Sequence, residues 1–338
     1  MTQGPAGVVS GITVIVPHWN RRDLLEPLLD RLREQTCPVE EVLVVDNGSQ
    51  DGSVELAQSK GARVISLDRN VGFAAAVNRG IQEARTECVA ILNNDVDPRP
   101  DWLERLSRAL QDTGAFFATG KLLNAARPEL LDGAFDTISR GACAWRAGQG
   151  RRDGPEWSRL RRIRMAPFTA VLFRAELFRK VGLLDERFGS YLEDVDFGLR
   201  CALRGYAGAY VPEAVASHAG SATLGRWNKE TVRLIARNQV LLVAKHYPAR
   251  YLWRYGWAIL AGQSLWGLVA ARHGGGLACL RGKLEGLRAG RGVRREVTRS
   301  GGWPNGLSRI LEQSEAEIYD LQRRTGFDRY WRLYFSLT

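Results

Sequence analysis

The sequence has few cysteines and only four histidines, and it lacks any Cys-x-x-Cys motif. The absence of paired metal-binding or disulfide spacings excludes a zinc-finger or disulfide-stapled fold and favours a reducing cytosol. The first seven residues lack the charged and apolar segments of a signal peptide. The five cysteines are scattered and odd in number: Cys37, Cys88, Cys143, Cys201 and Cys279.

Acidic residues are scarce in the C-terminal third. Residues 226–338 hold 20 Lys and Arg against 8 Asp and Glu, whereas residues 1–225 hold 28 against 29. Basic residues interleaved with Trp and Tyr suit an anionic membrane surface or nucleic acid. A solvated basic helical bundle explains the charge equally well. The change in charge near residue 225 predicts two domains, 10–225 and 226–338, the second of them helical.

One stretch of this third is uncharged from Tyr255 to Ala271. Its 17 residues are too few for a comfortable membrane span, and they include Gln263, Ser264 and three glycines. A helix lying in the membrane interface, with Trp and Tyr at headgroup level, fits this composition better. A buried hairpin helix is the alternative.

The first half of the chain alternates short apolar runs with helical patterns. This alternation predicts a mostly parallel, Rossmann-like α/β sheet with helices on both faces, and ligands beyond the carboxyl ends of its strands. Predicted strands cover 11–16, 41–45, 63–67 and 88–92, and predicted helices cover 23–34, 53–60, 72–84 and 100–110.

The pattern then changes. Residues 120–165 look irregular and rich in Gly and Arg, with six arginines from Arg151 to Arg164. Further strands are predicted at 167–173 and 206–211, and helices at 175–181 and 193–204. Beyond residue 225 the sequence is mostly helical in character.

Two acidic clusters point to chemistry. Asn93-Asn94-Asp95-Val96-Asp97 follows a buried strand, where carboxylates suit a hard divalent cation shared with substrate phosphates. Leu192-Glu193-Asp194-Val195-Asp196-Phe197 opens a helix, a natural position for a general base. Together they indicate metal-assisted phosphate-ester chemistry.

Five motifs occur in order: Ile15-Val16-Pro17-His18-Trp19-Asn20, Val44 to Ser53, Asn70 to Ala74, Leu92 to Asp95, and Glu193 to Asp196. In this order the chain, over residues 10–245, resembles the family-2 inverting glycosyltransferases of the GT-A fold. Within that family it is similar to the rhamnosyltransferase group of bacterial surface-polysaccharide enzymes.

The resemblance implies a nucleotide-sugar site. Asp46 would accept the N3–H of a uracil or thymine ring, although an Asp in this turn also suits a capping role. Asn70 has a helix N-cap role as its alternative. The residues that would border or line the nucleotide sugar are Pro17, Asn20, Asp46, Asn47, Asn70, Gly72, Asn78, Asn93 and Asn94.

The resemblance also implies a metal site for Mg²⁺ or Mn²⁺. Asp95 would hold the cation against the donor phosphates, with Asp97 and His218 as further ligands. The family often has Asp at the position of Asn93, so fewer charges are available here. A turn role for Asp97 and a structural role for His218 are the alternatives.

Asp194 is the predicted catalytic base, because displacement at the anomeric carbon requires a carboxylate near the acceptor hydroxyl. Glu193 and Asp196 would bind acceptor hydroxyls or tune the base through like-charge coupling. The simpler alternative is that these acids complement the helix macrodipole.

The expected function is transfer of a sugar, L-rhamnose from dTDP-L-rhamnose first among candidates, to a glycan or polyprenyl-diphosphate-linked acceptor. The donor would be a dTDP- or UDP-sugar, and the enzyme would be cytoplasmic and peripheral on the inner face of the membrane. The alternatives are a nucleotidyltransferase, disfavoured because no Gly-rich basic signature follows the first strand, and a non-catalytic nucleic-acid-binding protein, disfavoured because no recognised binding motif is present.

Overall fold

The computed structural model describes residues 11–220 and 227–338, which form two compact units. Within these residues, the first unit contains 11–135, 148–189 and 197–220, and the second contains 136–147, 190–196 and 227–338. The domain boundary predicted between residues 225 and 226 lies outside the described residues. The second unit also includes two short segments that precede residue 226 in the sequence, namely 136–147 and 190–196.

Apolar runs form the strands of the first unit, and all seven residues of the first strand are buried. The strands described in both units are β1 (Ile12–His18), β2 (Glu41–Asp46), β3 (Arg63–Ser66), β4 (Cys88–Leu92), β5 (Val96–Pro98), β6 (Phe117–Asn124), β7 (Arg127–Gly133), β8 (Asp136–Ile138), β9 (Ala144–Arg146), β10 (Arg161–Ile163), β11 (Ala170–Arg174) and β12 (Gly208–His218).

Ten of these strands form one sheet of order β10-β12-β6-β11-β4-β1-β2-β3, with β5 beside β12 and β7 beside β6. The neighbours β4, β1, β2 and β3 are parallel, as are β12 and β6, while β11 is antiparallel to β4 and β6. Parallel neighbours bring the carboxyl ends of β1, β2 and β4 to one edge of the sheet.

Helices connect the strands of the first half, as the alternating pattern predicted. The α/β class and the helical C-terminal region are confirmed. The helices described are α1 (Arg22–Arg33), α2 (Ser53–Ser59), α3 (Phe73–Glu83), α4 (Trp102–Thr113), α5 (Glu176–Val181), α6 (Glu193–Leu203), α7 (Lys229–His246), α8 (Ala249–Arg272), α9 (Gly276–Arg299), α10 (Leu307–Thr325) and α11 (Arg329–Leu337).

Two sequence-based expectations about residues 120–218 are wrong. Residues 120–165 are not irregular, because they contain most of β6 and all of β7, β8, β9 and β10. The last strand does not end at Val211 but continues to His218 through an irregularity between Val211 and Val215. Pro212 and Glu213 interrupt the apolar pattern there, which hides the continuation. Helix α4 begins at Trp102, two residues after the predicted start.

The second unit contains the β8–β9 pair and helices α7 to α11. The uncharged stretch 255–271 lies inside α8, which buries Tyr255, Ala258 and Ala261 but exposes Trp257 and Leu260. Among the described residues, no helix combines the length and the apolar character needed to cross a bilayer. All five cysteines are buried and free of disulfide bonds.

Candidate functional site

The carboxyl-end edge of the sheet in the first unit carries most of the predicted nucleotide-sugar residues. In the β1–β2 register Pro17 lies opposite Val45, and His18 lies opposite Asp46. The loops that leave these two strands are tied together, because the backbone N–H of Asn20 donates to Ser49 Oγ at 2.7 Å. The structure therefore brings the first two predicted motifs side by side.

Asp46 has two oxygens in different surroundings. Its Oδ2 accepts hydrogen bonds from the backbone N–H groups of Gly48 and Ser49, at 3.2 and 3.0 Å. Its Oδ1 is buried and has no hydrogen-bond partner. A buried acceptor without a donor is costly, so a ligand N–H is a natural partner for it. The turn-capping role and the predicted base-reading role are thus compatible, since each uses a different oxygen.

His18 is a site residue that sequence reasoning did not single out. It is 1% exposed, and its Nε2 lies 2.8 Å from Ser53 Oγ while its Nδ1 lies 2.9 Å from the amide nitrogen of Asn94. Burial lowers the pKa of His18 and outweighs the opposing effect of Asp46. A neutral imidazole thus joins the ends of the first two strand motifs to Asn94. The only signal in the sequence was a histidine ending a buried strand.

The remaining asparagines of this edge are engaged in loop contacts. Asn47 Oδ1 accepts from the backbone of Val71 at 3.3 Å, and Asn20 Oδ1 accepts from the backbone of Gln50 at 3.0 Å. Asn93 differs, because its buried Oδ1 has no hydrogen-bond partner. Asn93 and Asp46 therefore both present unsatisfied buried acceptors, which fits ligand-binding side chains.

The predicted site residues of segment 70–78 make contacts mainly with other residues of the chain. Asn70 Oδ1 accepts from the backbone N–H of Gly72 at 3.0 Å, a contact within the turn before α3. The N-cap of α3 is Gly72, so the capping alternative for Asn70 is wrong. Gly72 has φ 92°, and a Cβ there would lie 3.2 Å from the Gly189 backbone. The positive φ favours glycine at this position, and the close backbone of Gly189 adds to the preference. The predicted approach of a nucleotide sugar stays a prediction.

Asn78 is 3% exposed, and its amide group is used within the protein. The amide nitrogen donates to the Leu184 carbonyl and to Glu186, both at 2.9 Å, and Oδ1 accepts from the Leu184 backbone at 2.9 Å. Both amide hydrogens are therefore occupied. This geometry gives Asn78 an anchoring role for residues 184–186 instead of the predicted sugar contact.

Asp95 and His218, two of the predicted metal ligands, are neighbours in the first unit. His218 Nε2 lies 3.1 Å from Asp95 Oδ1, and each side chain is only 7% exposed. The contact lacks hydrogen-bond geometry, which leaves Nε2 without a hydrogen-bond partner. A buried carboxylate oxygen facing an imidazole nitrogen in this way is a donor pair that a divalent cation such as Mn²⁺ can use.

Asp132 on β7 is the partner that the sequence did not reveal. Its Oδ2 lies 2.8 Å from His218 Nδ1, so it fixes the orientation of the ring. Burial lowers the pKa of His218, but the carboxylates of Asp132 and Asp95 raise it more, to about 9. The ring is therefore protonated in the absence of a cation, and a cation bound at Nε2 would displace that proton.

Asp97 is not part of this pair. Its side chain is 60% exposed and forms an ion pair with Arg31 at 2.9 Å. Along β5 its neighbours Val96 and Pro98 are buried, so the alternation of the strand turns Asp97 to the solvent side. The described residues contain no cluster of three His, Cys, Asp or Glu side chains suited to a metal. A cation here would take its remaining ligands from substrate phosphates and water.

The 193–196 cluster lies in the second unit and follows a strained turn. Tyr191 and Leu192 have φ values of 72° and 67°, the left-handed region that residues with side chains rarely adopt. The buried amide nitrogen of Asn238 donates to the carbonyls of Ser190 and Tyr191, at 2.9 and 2.7 Å. Backbone strain of this kind often marks a functional site, and Asn238 holds it in place.

The three acids of the cluster have different environments. Glu193 is buried, and its Oε2 has no hydrogen-bond partner. Burial first, and then the charge of Asp194, raises the pKa of Glu193 well above its ordinary value. Glu193 is therefore a weaker acid than an ordinary glutamate, and it holds its proton to higher pH than it would in the unfolded chain.

Asp196 is 0% exposed, and its carboxylate binds Lys245 and His246, each at 2.8 Å. Such a position gives acceptor hydroxyls no access, so that predicted contact is wrong. Asp196 instead joins the start of α6 to the end of α7. Its electrostatic coupling to the base stays a prediction.

Asp194 is the accessible member, with its side chain 14% exposed. Its Oδ1 accepts from the backbone N–H of Val195 at 2.8 Å, and its Oδ2 lies 4.0 Å from the guanidinium of Arg146. Arg146 also donates to Asp136 at 3.3 Å. An accessible carboxylate oriented by an arginine can accept a proton, which is the chemistry predicted for Asp194.

The sequence profile of glycosyl transferase family 2 matches residues 13–181, half of the chain. The chain belongs to this family. The N-acetylglucosaminyl-diphospho-decaprenol L-rhamnosyltransferase of Mycobacterium tuberculosis is 29% identical over 230 residues, which are 60% of this chain and 74% of that protein. The glycosyltransferase AglE of Haloferax volcanii is 34% identical over 118 residues, 33% of this chain, and the chain spans only 39% of its length.

Solved structures show the same fold. The crystal structure of GalNAc-T7 with UDP, GalNAc and Mn²⁺ superposes with a TM-score of 0.64 at 14% identity, over 96% of this chain and 59% of that one. The mannosyltransferase PcManGT from Pyrobaculum calidifontis, in complex with GDP-Man and Mn²⁺, gives a TM-score of 0.50 at 18% identity, over 96% and 86%. These similarities confirm the GT-A fold expected from the sequence.

Proposed function

We propose that the protein is an inverting glycosyltransferase that takes a sugar from a nucleoside diphosphate donor. The observation that carries this proposal is the buried Asp46 Oδ1, which lies at the carboxyl end of β2 and accepts no hydrogen bond. The imide N–H of uracil or thymine would supply the missing donor. The donor is thus a dTDP- or UDP-sugar, with dTDP-L-rhamnose first because one relative is named a rhamnosyltransferase.

Asp95 and His218 would hold Mg²⁺ or Mn²⁺, with Asp132 orienting the histidine ring. When bound, the cation neutralises charge on the departing diphosphate. The pair fits Mn²⁺ better than Mg²⁺, because imidazole nitrogen is a poor ligand for Mg²⁺. Asp97 is proposed here only as a surface residue, given its ion pair with Arg31.

Asp194 would accept the proton of the acceptor hydroxyl while that oxygen attacks the anomeric carbon. The bond from this carbon to the diphosphate oxygen breaks on the opposite face, so the configuration inverts. Arg146 would hold the Asp194 carboxylate, and Glu193 beside it, whose pKa is raised, would keep its proton more readily than an ordinary glutamate.

The acceptor is proposed to be a glycan or a polyprenyl-diphosphate lipid of cell-surface polysaccharide synthesis, used at the inner face of the cell membrane. The basic residues of 226–338 support this location, because they attract anionic lipid headgroups. The name of the mycobacterial relative includes such a lipid-linked acceptor.

A panel of nucleotide sugars tests the proposal. Purified protein, with Mn²⁺ and acceptor extracts, should release dTDP from dTDP-L-rhamnose faster than UDP or GDP from other donors. Release of UDP alone would support the proposed glycosyltransferase activity but reject dTDP-L-rhamnose as the donor. Release of pyrophosphate from a nucleoside triphosphate and a sugar phosphate would replace the proposal with a nucleotidyltransferase.

A further inference from the structure

Helix α9 exposes its four leucines and buries Gly282, Gly286 and Gly290, the reverse of an ordinary surface helix. Leu277, Leu280, Leu284 and Leu287 are 85%, 59%, 46% and 57% exposed. Their spacing of three and four residues places them on one side of the helix. We call these four side chains the leucine face.

The opposite side of α9 is fixed by close packing on α7. A Cβ at Gly282 would lie 2.1 Å from the Arg233 carbonyl oxygen, and a Cβ at Gly286 would lie 2.6 Å from that of Arg237. Only glycine permits this approach. The helix therefore cannot rotate to bury its leucines without pushing the two helices apart, and the leucine face stays outward.

Positive charge lies among the leucines. Arg281, Arg288 and Arg291 follow the same helical side and are exposed, and the side chain of Arg281 is 75% accessible. A row of exposed apolar residues flanked by arginines is the surface that a helix presents when it lies in a membrane interface. The net positive charge of residues 226–338 complements an anionic headgroup layer.

Helix α8, which precedes α9 across a short turn, has a comparable exposed row. Trp253, Trp257, Leu260 and Leu268 are 90%, 59%, 58% and 67% exposed. Tryptophan favours the headgroup level of a bilayer. A row of this composition suits a helix that lies along a bilayer surface.

We propose that the leucine face of α9 inserts into the surface of an anionic bilayer and docks the protein there. The proposal deepens the proposed peripheral location and rests on it. Nucleic acid fits this surface less well, because phosphate contacts use the arginines but give the leucines no apolar partner. A second copy of the chain would match the leucines but would bring two arginine rows together.

The test uses the full-length protein and vesicles with about one-third phosphatidylserine, with pure phosphatidylcholine vesicles as the neutral arm. One variant replaces all four leucines of the face with Gln, and a matched variant replaces them with Met, which keeps their apolar area. Leu160→Gln, at a leucine that is 56% exposed in the first unit, controls for loss of an exposed leucine elsewhere.

Wild type, the Met variant and Leu160→Gln should cosediment with anionic vesicles, and the Gln variant should bind at least ~10-fold more weakly. Equal binding of the Gln and Met variants would overturn the proposal. So would a wild-type dimer that the Gln substitutions convert to a monomer, or binding of wild type to RNA but not to vesicles. Circular dichroism confirms that the Gln variant is folded.

Turnover on a soluble acceptor separates this proposal from the enzyme function. The Gln variant should turn over a nucleotide sugar as wild type does, because its substitutions lie outside the proposed donor and base residues. If the Gln variant loses vesicle binding but even the wild type transfers no sugar, the proposed function is rejected and the docking face is supported. Normal transfer with unchanged vesicle binding would reject the docking face alone.

Discussion

The two acidic clusters of the chain differ in what surrounds their side chains. In residues 93–97, a buried acceptor has no donor and a carboxylate faces a histidine nitrogen. In residues 193–196, one acid is buried and has a raised pKa, one is accessible, and one is fully buried in ion pairs. Three acids in four residues therefore provide one accessible carboxylate. Surroundings, and not the number of acids, decide which group can react.

Asp196→Asn should have the largest effect on stability. It removes the fully buried carboxylate that pairs with Lys245, whose side chain is 14% exposed, and breaking such a buried pair costs about 3–5 kcal/mol. The free energy of unfolding in urea should fall by that amount. Asp320→Asn, in an exposed ion pair of the same unit, should change it by less than ~1 kcal/mol. If Asp196→Asn lowers the free energy of unfolding as little as the control does, Asp196 does not lie in stabilising buried ion pairs.

Asp95→Ala should remove the effect of Mn²⁺ on donor binding. Loss of a residue that supports a ligand already weakens metal affinity ~10–100-fold, so loss of the ligand itself should cost at least as much. Calorimetric titration of dTDP with and without Mn²⁺ measures this. Asp97→Ala is the matched control, because the two acids are two residues apart and Asp97 pairs with Arg31. If both variants lose the effect of Mn²⁺ on dTDP binding equally, Asp97 is also a metal ligand.

Asp46→Ala should weaken the binding of pyrimidine nucleotides by about 1–3 kcal/mol, the range for a hydrogen bond to a charged group. Affinity for Mn²⁺ should be little changed. Calorimetry with dTDP and UDP provides the measurement, and inorganic diphosphate, which has no base, is the control ligand. Unchanged affinity for both nucleotides would leave Asp46 with only its turn-capping role.

Glu193→Gln should have the smallest effect, visible as a change in pH dependence. In the unfolded chain Glu193 ionises near 4.5, whereas in the folded chain its pKa is raised. As the pH rises from about 4.5 towards the folded pKa, the unfolded state loses a proton that the folded state keeps, so the wild type loses stability. The Gln variant lacks this loss. A constant difference in unfolding free energy between the two proteins from pH 5 to 8 would contradict a raised pKa.

The sequence predicted the parts of the fold that have local signals. The apolar runs ending at Val16, Val45 and Leu92 are strands of one sheet, and the polar residues after them lie at strand ends, as expected. Strand β6 was missed, because its residues Thr119, Gly120 and Lys121 break the apolar pattern although all three are buried in the first unit.

The partners of the site residues had no local signal. Asp132 lies 86 residues before His218, and His18 lies 76 residues before Asn94. Such contacts exist only once the sheet brings distant segments together, and no periodicity marks them. The same holds for Asp196, whose ion-pair partners Lys245 and His246 lie on another helix.

Turnover of Asp194→Asn with the authentic acceptor tests the central claim most directly. Because Asp194 is the accessible acid of its cluster, the variant should bind donor and Mn²⁺ as wild type does but turn over at least ~100-fold more slowly, the usual cost of losing a positioned base. Glu193→Gln, one residue earlier, should keep most of the wild-type rate. Near-normal turnover of Asp194→Asn, measured by release of the nucleoside diphosphate, would contradict the assignment of Asp194 as the base.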